Sequence, residues 1–284
     1  MNAQRWRGNG EWALALPLAV FFVLFFLTPL GVLVVVSLFK EPAMTTVSGA
    51  QYVRFFGDRL HLSILWDTLL LGVKATLACL VFGYPLAWIT ARARPRVRSL
   101  LVFAVVLPLL TSVVVRTFAW IVILGRQGIL NKTLLALGLI DEPARLLFSE
   151  FGVVMVLAQV QMPLMVLPLL TTFQRMDPNL VDASAALGAG HWRTFWKVTA
   201  PLSLPGVIAG SILVYAACVT AFVTQSLIGG ARLVYMPLFL YQQATGTQDW
   251  PFAAAIALIF MVAVLFVVFV LNAVGRSRRA QIHA

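Results

Sequence analysis

Charge is scarce in this chain. Asp, Glu, Lys and Arg make up 11% of 284 residues, and the acids number only 10 against 21 Lys and Arg. A soluble domain carries roughly 25% charged residues, so these side chains could not cover a water-facing surface. Cysteine is nearly absent: Cys79 and Cys218 each lie in an apolar run, which argues against a disulfide framework. Zn-type Cys/His spacing, a clustered His/Asp/Glu group and a basic stripe interleaved with aromatics are all missing. The sequence thus offers no catalytic residue, no metal site and no nucleic-acid surface, despite a net charge of +11. It also lacks the G-x-x-x-x-G-K-[ST] phosphate loop, so this chain is expected to bind no nucleotide cofactor itself.

What the chain has is apolar length. Hydrophobic residues make up 61% of it, with a mean hydropathy of +0.94. Runs of about 20 apolar residues, enough to cross a hydrocarbon core, recur along it. Six spans are expected near 12–38, 65–91, 100–124, 151–173, 208–228 and 251–274, in an all-α membrane protein forming a single domain over 1–284. Lipid offers backbone groups no partner and the runs lack strand alternation, so helices are the expected form. The first run is too long for a signal peptide's apolar core and reads as an uncleaved span.

Of the 21 cations, twelve fall with the N-terminus on one side of these spans and seven on the other, leaving Lys74 and Arg116 inside. The densest cluster, RARPRVR from Arg92, is on the side of twelve. The positive-inside rule makes that side, and both termini, cytoplasmic. On the outer side, 51–62 and 128–150 could form short surface helices or plain linkage.

Between the fourth and fifth spans the segment 174–205 is half polar. Asp177 can cap a helix with Pro178 in its first turn, and Gly188 can end it. A second short helix should carry Trp192, Phe195, Trp196 and Thr199 on one face and Arg193 and Lys197 on another, lying at the membrane interface until Pro201 and Pro205 end it. Asp182, Ala183, Ser184 and Ala185 have little bulk, which lets another protein approach the first helix closely. A partnerless interfacial loop is the plainer alternative.

The stretch DASAALGAGHWRTFWKVTAP from Asp182 resembles the EAA loop of ABC importer permeases. Their pattern is E-A-A, a Gly six residues after the acid, then I-x-L-P. Here the acid is Asp182, Ser184 replaces the second Ala, Gly188 is in register, and Val198-Thr199-Ala200-Pro201 closes the pattern with Ala200 for Leu. GYPLAW from Gly83, LPLLTSVVVRTFAWIVILGRQGILN from Leu107 and GGARLVYMPLFLYQQATGTQDWPFAAA from Gly229 are similar to the spermidine/putrescine-type branch. The resemblance implies a type I importer permease in a bacterial inner membrane. Asp182 to Gly188 would form a coupling helix seated in a cytoplasmic ATPase dimer that binds ATP and Mg. A second, unlike permease and a periplasmic binding protein would complete the assembly, the latter facing outer loops such as Asp249-Trp250-Pro251.

Ionisable groups at membrane depth usually face a cavity or a partner. Lys74 and Arg116 fall in the outer half of the bilayer, level with Trp120, Gln159, Gln161, Thr220, Thr224 and Gln225. Together these could line a substrate pathway. The plainer alternatives are that Lys74 snorkels outward, that Arg116 stacks on Trp120 or binds helix-end carbonyls, and that the Thr hydroxyls bond to their own helices. No acid is expected at that depth, which sits badly with a polyamine cargo. Either a second permease supplies the acids, or the cargo carries an anionic group, as an amino acid, opine or phosphonate does. The competing class is a self-sufficient secondary transporter or channel, which would need intramembrane acids or broken helices at matching positions; neither is evident in the sequence.

Overall fold

The computed structural model describes residues 16–282, without the side chains of Pro178, Ala185 and residues 274–282. Arg5, Arg7 and Trp12, used above for orientation and the first span, lie outside the described residues. Among the described residues, helices carry the fold and an isolated Phe39–Val47 bridge is the β pairing present. Six segments are long and apolar enough to cross a membrane: Leu16–Ser37, Arg59–Arg92, Val113–Ala136, Glu150–Gln174, His191–Val219 and Trp250–Ala273. In chain order the helices are α1 (Leu16–Ser37), α2 (Ala50–Gly57), α3 (Arg59–Arg92), α4 (Pro95–Val106), α5 (Val113–Leu124), α6 (Ile129–Ala136), α7 (Glu150–Gln174), α8 (Pro178–Ala186), α9 (His191–Val219), α10 (Phe222–Gly229), α11 (Met236–Tyr241) and α12 (Trp250–Ile282). By contacts the described residues fall into two compact units, one of 16–62 with 240–261 and the other of 63–239 with 262–282.

In the first unit α2 turns Gln51 and Phe55 inward. Gln51 Nε2 donates to the Lys40 carbonyl at 2.8 Å, and the Ser37 and Tyr52 hydroxyls are 2.7 Å apart, which fixes the connection from α1. Asp249 caps α12 by accepting the Phe252 N–H at 3.2 Å and pairs with Arg54 at 2.7 Å. The Arg54 guanidinium lies 3.9 Å above the Phe252 ring, so charge and aromatic packing close this end of the unit together.

In the second unit α7 is the central helix, with twelve buried residues between Gly152 and Phe173. Ser149 starts it by accepting the Gly152 N–H at 3.1 Å. Helix α9 crosses it with backbone against backbone: a Cβ on Gly210 would stand 3.2 Å from the Met165 carbonyl and 2.8 Å from its sulfur. Small residues at such crossings are how membrane helices gain packing where no hydrophobic drive exists between them. Of the segment 128–150, expected on the outer side, only α6 and, at Glu150, the start of α7 are helical. The rest is a loop tied by Asn131, whose Nδ2 donates to the Gly125 and Ala144 carbonyls at 3.0 Å each while its Oδ1 accepts the Ala144 N–H at 3.0 Å.

Two expected spans are placed differently. The helix expected over 100–124 is broken, with a 3-10 turn at Leu107–Leu110 and extended Thr111 and Ser112 separating α4 from α5. Pro108 provides the cause, because its ring fixes φ and removes a donor. The span expected over 208–228 instead runs 191–219. Pro201 and Pro205 do not stop it. A π-helical turn at Phe195–Thr199, with the Ala200 N–H bonded to the Phe195 carbonyl, widens the helix just ahead of Pro201 and absorbs the missing bond. The interfacial helix and the fifth span are therefore one helix. It ends at Thr220–Ala221, where Phe222 N–H bonds the Thr220 carbonyl at 2.8 Å and α10 starts in a new direction.

Candidate functional site

The knuckle between α7 and α9 is built from local signals. Asp177 Oδ1 accepts the Asn179 N–H at 3.0 Å at the start of α8. Gly188 ends the helix at φ +78°, and Ala189 N–H bonds the Ser184 carbonyl at 3.1 Å. Asp182 and Ala183 are exposed, and Leu187, at 89%, is among the most exposed apolar side chains. Ser184, the departure from the family pattern, has a use: its hydroxyl lies 2.9 Å from that of Thr194 and ties α8 to the first turn of α9. The aromatic face expected on the second helix divides. Thr199 is buried and Phe195 packs against Tyr84 and Trp88, while Trp192 and Trp196 remain outside. Asp182 borders a cavity of about 480 Å³ together with Arg92 and Arg98. Arg92 stacks on Trp88 at 4.3 Å and Arg98 donates to the Ala91 carbonyl at 2.9 Å, so both cations are held by α3 and its end.

The polar layer expected in the spans separates into four arrangements. Lys74 of α3 pairs with Glu150 at the start of α7, so this chain does supply an acid there, contrary to expectation; both side chains are about half exposed. Tyr235 lies near the same charges. Burial, then Glu150 and Asp67, push its phenol pKa up. Trp120 donates to Gln159 Oε1 at 3.1 Å, so these two satisfy each other across α5 and α7. Gln225 is buried and its Nε2 donates to the carbonyls of Cys218 and Val219 at 2.7 and 3.2 Å, which closes the open C-terminal end of α9.

The remaining four, Arg116, Gln161, Thr220 and Thr224, line one cavity of about 400 Å³. Its walls include both helix breaks: Leu109 and Thr111 from the first, Thr220 and Ala221 from the second. Irregular backbone at membrane depth is tolerated where it is enclosed by protein or lines a cavity. Broken helices at matching positions are not evident in the sequence, and the structure adds these two breaks beside the cavity. Pro108 signalled the first break; the second has neither Pro nor Gly at it and carried no local signal. Arg116 does not stack on Trp120, since the cation–π pairs among the described residues are Arg54–Phe252 and Arg92–Trp88. Its Nη2 donates to the Thr111 carbonyl at 3.2 Å, the helix-end alternative.

A helical membrane protein with broken helices around a cavity and a small capped helix between two spans has the build of a transporter permease. The chain belongs to the family described as binding-protein-dependent transport system inner membrane component, which matches residues 83–280. It is similar to the spermidine/putrescine transport system permease protein PotB of Escherichia coli (strain K12), 37% identical over 205 residues covering 72% of this chain and 74% of that protein. It is also similar to the molybdenum transport system permease protein ModB of Mycobacterium bovis, 32% identical over 216 residues covering 74% and 78%. Its fold matches that of a chain in the crystal structure of a bacterial alginate ABC transporter in complex with alginate pentasaccharide-bound periplasmic protein, with a TM-score of 0.75 and 18% identity over 95% of each chain. The chain is a multi-pass inner-membrane permease subunit of an ABC importer, and family membership sets aside the self-sufficient secondary transporter.

Proposed function

We propose that this permease passes a small amine-bearing solute from periplasm to cytoplasm by alternating access, driven by an ATPase dimer that grips α8. The carrying observation is the exposed, capped α8 with Asp182 and Leu187 outward, in register with the EAA loop. Arg92, Arg94, Arg96, Arg98, Arg175, Arg193 and Lys197 gather on the side of α8, which supports a cytoplasmic position for it and for both termini. ATP and Mg belong to the ATPase. A periplasmic binding protein delivers the cargo, as the complex named above supports. A second, unlike permease completes the pathway. None of the apolar window of α1 is buried within this chain, leaving it for lipid or that second subunit. The cargoes to compare are polyamines, which PotB carries by name, and the related amino acids, opines and aminophosphonates.

The test is reconstitution with the neighbouring ATPase, permease and binding protein. Loaded binding protein should raise ATP hydrolysis several-fold, and Asp182→Lys with Leu187→Glu should release the ATPase on co-purification. An ATPase that still co-purifies and is still stimulated in the double variant would sink the assignment of α8 as the docking helix.

A further inference from the structure

Of the two cations expected within the spans, Lys74 is neutralised by Glu150. Arg116 is not. Its Nη2 reaches only the Thr111 carbonyl, while its Nε and Nη1 are buried and donate to no protein acceptor among the described residues. A guanidinium stays charged in proteins and offers five donors in a fixed fork, so buried donors left over call for an acceptor. None of the residues lining its cavity is acidic.

The backbone adds to the same field. Helix α5 starts at Val113 and α10 at Phe222, both on the cavity wall, and neither has a side-chain cap: Ser112 makes no such bond and Ala221 cannot. The Phe222 N–H is taken by the Thr220 carbonyl, but each helix start still carries a positive dipole end, and at broken membrane helices such ends favour anionic substrate groups. Gln161 adds an amide to the lining, in a volume suited to a small solute, while the Thr220 hydroxyl on the same wall donates to the Ala216 carbonyl of its own helix at 2.8 Å.

We infer that the Arg116 cavity holds an oxyanion of the cargo, a carboxylate or a phosphonate, so that the transported solute is a zwitterion or an anion and not a bare polyamine. This rests on the permease reading above. A polycation entering here would meet a guanidinium and two positive helix ends with no acid beside them.

Two measurements test it. In the reconstituted complex, ATP-driven uptake of 4-aminobutyrate or 2-aminoethylphosphonate should exceed that of putrescine, and Arg116→Gln should lower uptake of the anionic probe about tenfold or more. The better of the two probes tells carboxylate from phosphonate. Independently of transport, Thr220→Cys in the otherwise intact chain should show, once each rate is divided by that reagent's rate with a free thiol, about a tenfold preference for an anionic over a cationic methanethiosulfonate, and adding Arg116→Gln should remove most of that preference. Equal labelling by both reagents, or uptake of putrescine alone, would overturn the anion site. ATP-independent uptake would instead count against the permease reading, while the labelling ratio would still decide the charge of the cavity.

Discussion

The knuckle around Asp182 and the cavity around Arg116 are built by opposite means. In the knuckle each backbone end has a neighbour in sequence to satisfy it: Asp177 caps, Gly188 stops, and Ser184 reaches Thr194 ten residues on. In the cavity neither α5 nor α10 has a side-chain cap, and the break before α10 is held by Gln225 reaching back to Cys218 and Val219. A surface that another protein grips needs a defined shape of its own. A surface that takes a solute gains by keeping donors in reserve.

This contrast can be broken by substitution. The largest effect is expected at Gln225→Leu, which strips the donor from two buried carbonyls; the cost should be about 2 kcal/mol or more, read as thermal unfolding of the purified subunit. If stability were unchanged, the second break would be held by local chain preference after all. Next comes Gly188→Val. Its left-handed backbone is costly for any residue with a Cβ, about 1–2 kcal/mol, and the change should uncouple ATP hydrolysis from uptake while leaving the Thr220→Cys labelling ratio intact. Loss of that ratio would mean that knuckle and cavity are not separately built. The smallest effect belongs to Glu150→Gln. With both partners of the Lys74 pair half exposed, its removal should cost under about 1 kcal/mol and should matter less as salt is raised, in contrast to Arg116→Gln.

The same division explains what could be read from the sequence. The apolar runs, the capping Asp177 and the stop at Gly188 are short-range signals, and each was legible. Pro201 and Pro205 do not act as stops: a π turn precedes Pro201, Pro205 is carried inside the helix, and Phe195 in that turn packs against Tyr84 and Trp88, residues more than a hundred positions away. The Lys74–Glu150 pair joins positions 76 residues apart, so charge counting by span could not see it. The break at Thr220–Ala221 falls in CVTAFVT, which has no Pro or Gly and only the weak bias of its β-branched Val and Thr against a helix, and the Gln225 side chain marks where the chain turns.

The continuity of α9 has a mechanical consequence. One end of this helix follows the Gly190 turn beside α8, and the other is Thr220 on the cavity wall. Its 29 residues make a rod about 44 Å long. A displacement imposed at the near end arrives at the far end without an intervening loop to dissipate it, and the compliant points along the way are the π turn at Phe195–Thr199 and Pro205. The stroke of a motor attached to α8 would thus be delivered, along one stiff member, to the threonine that faces the solute.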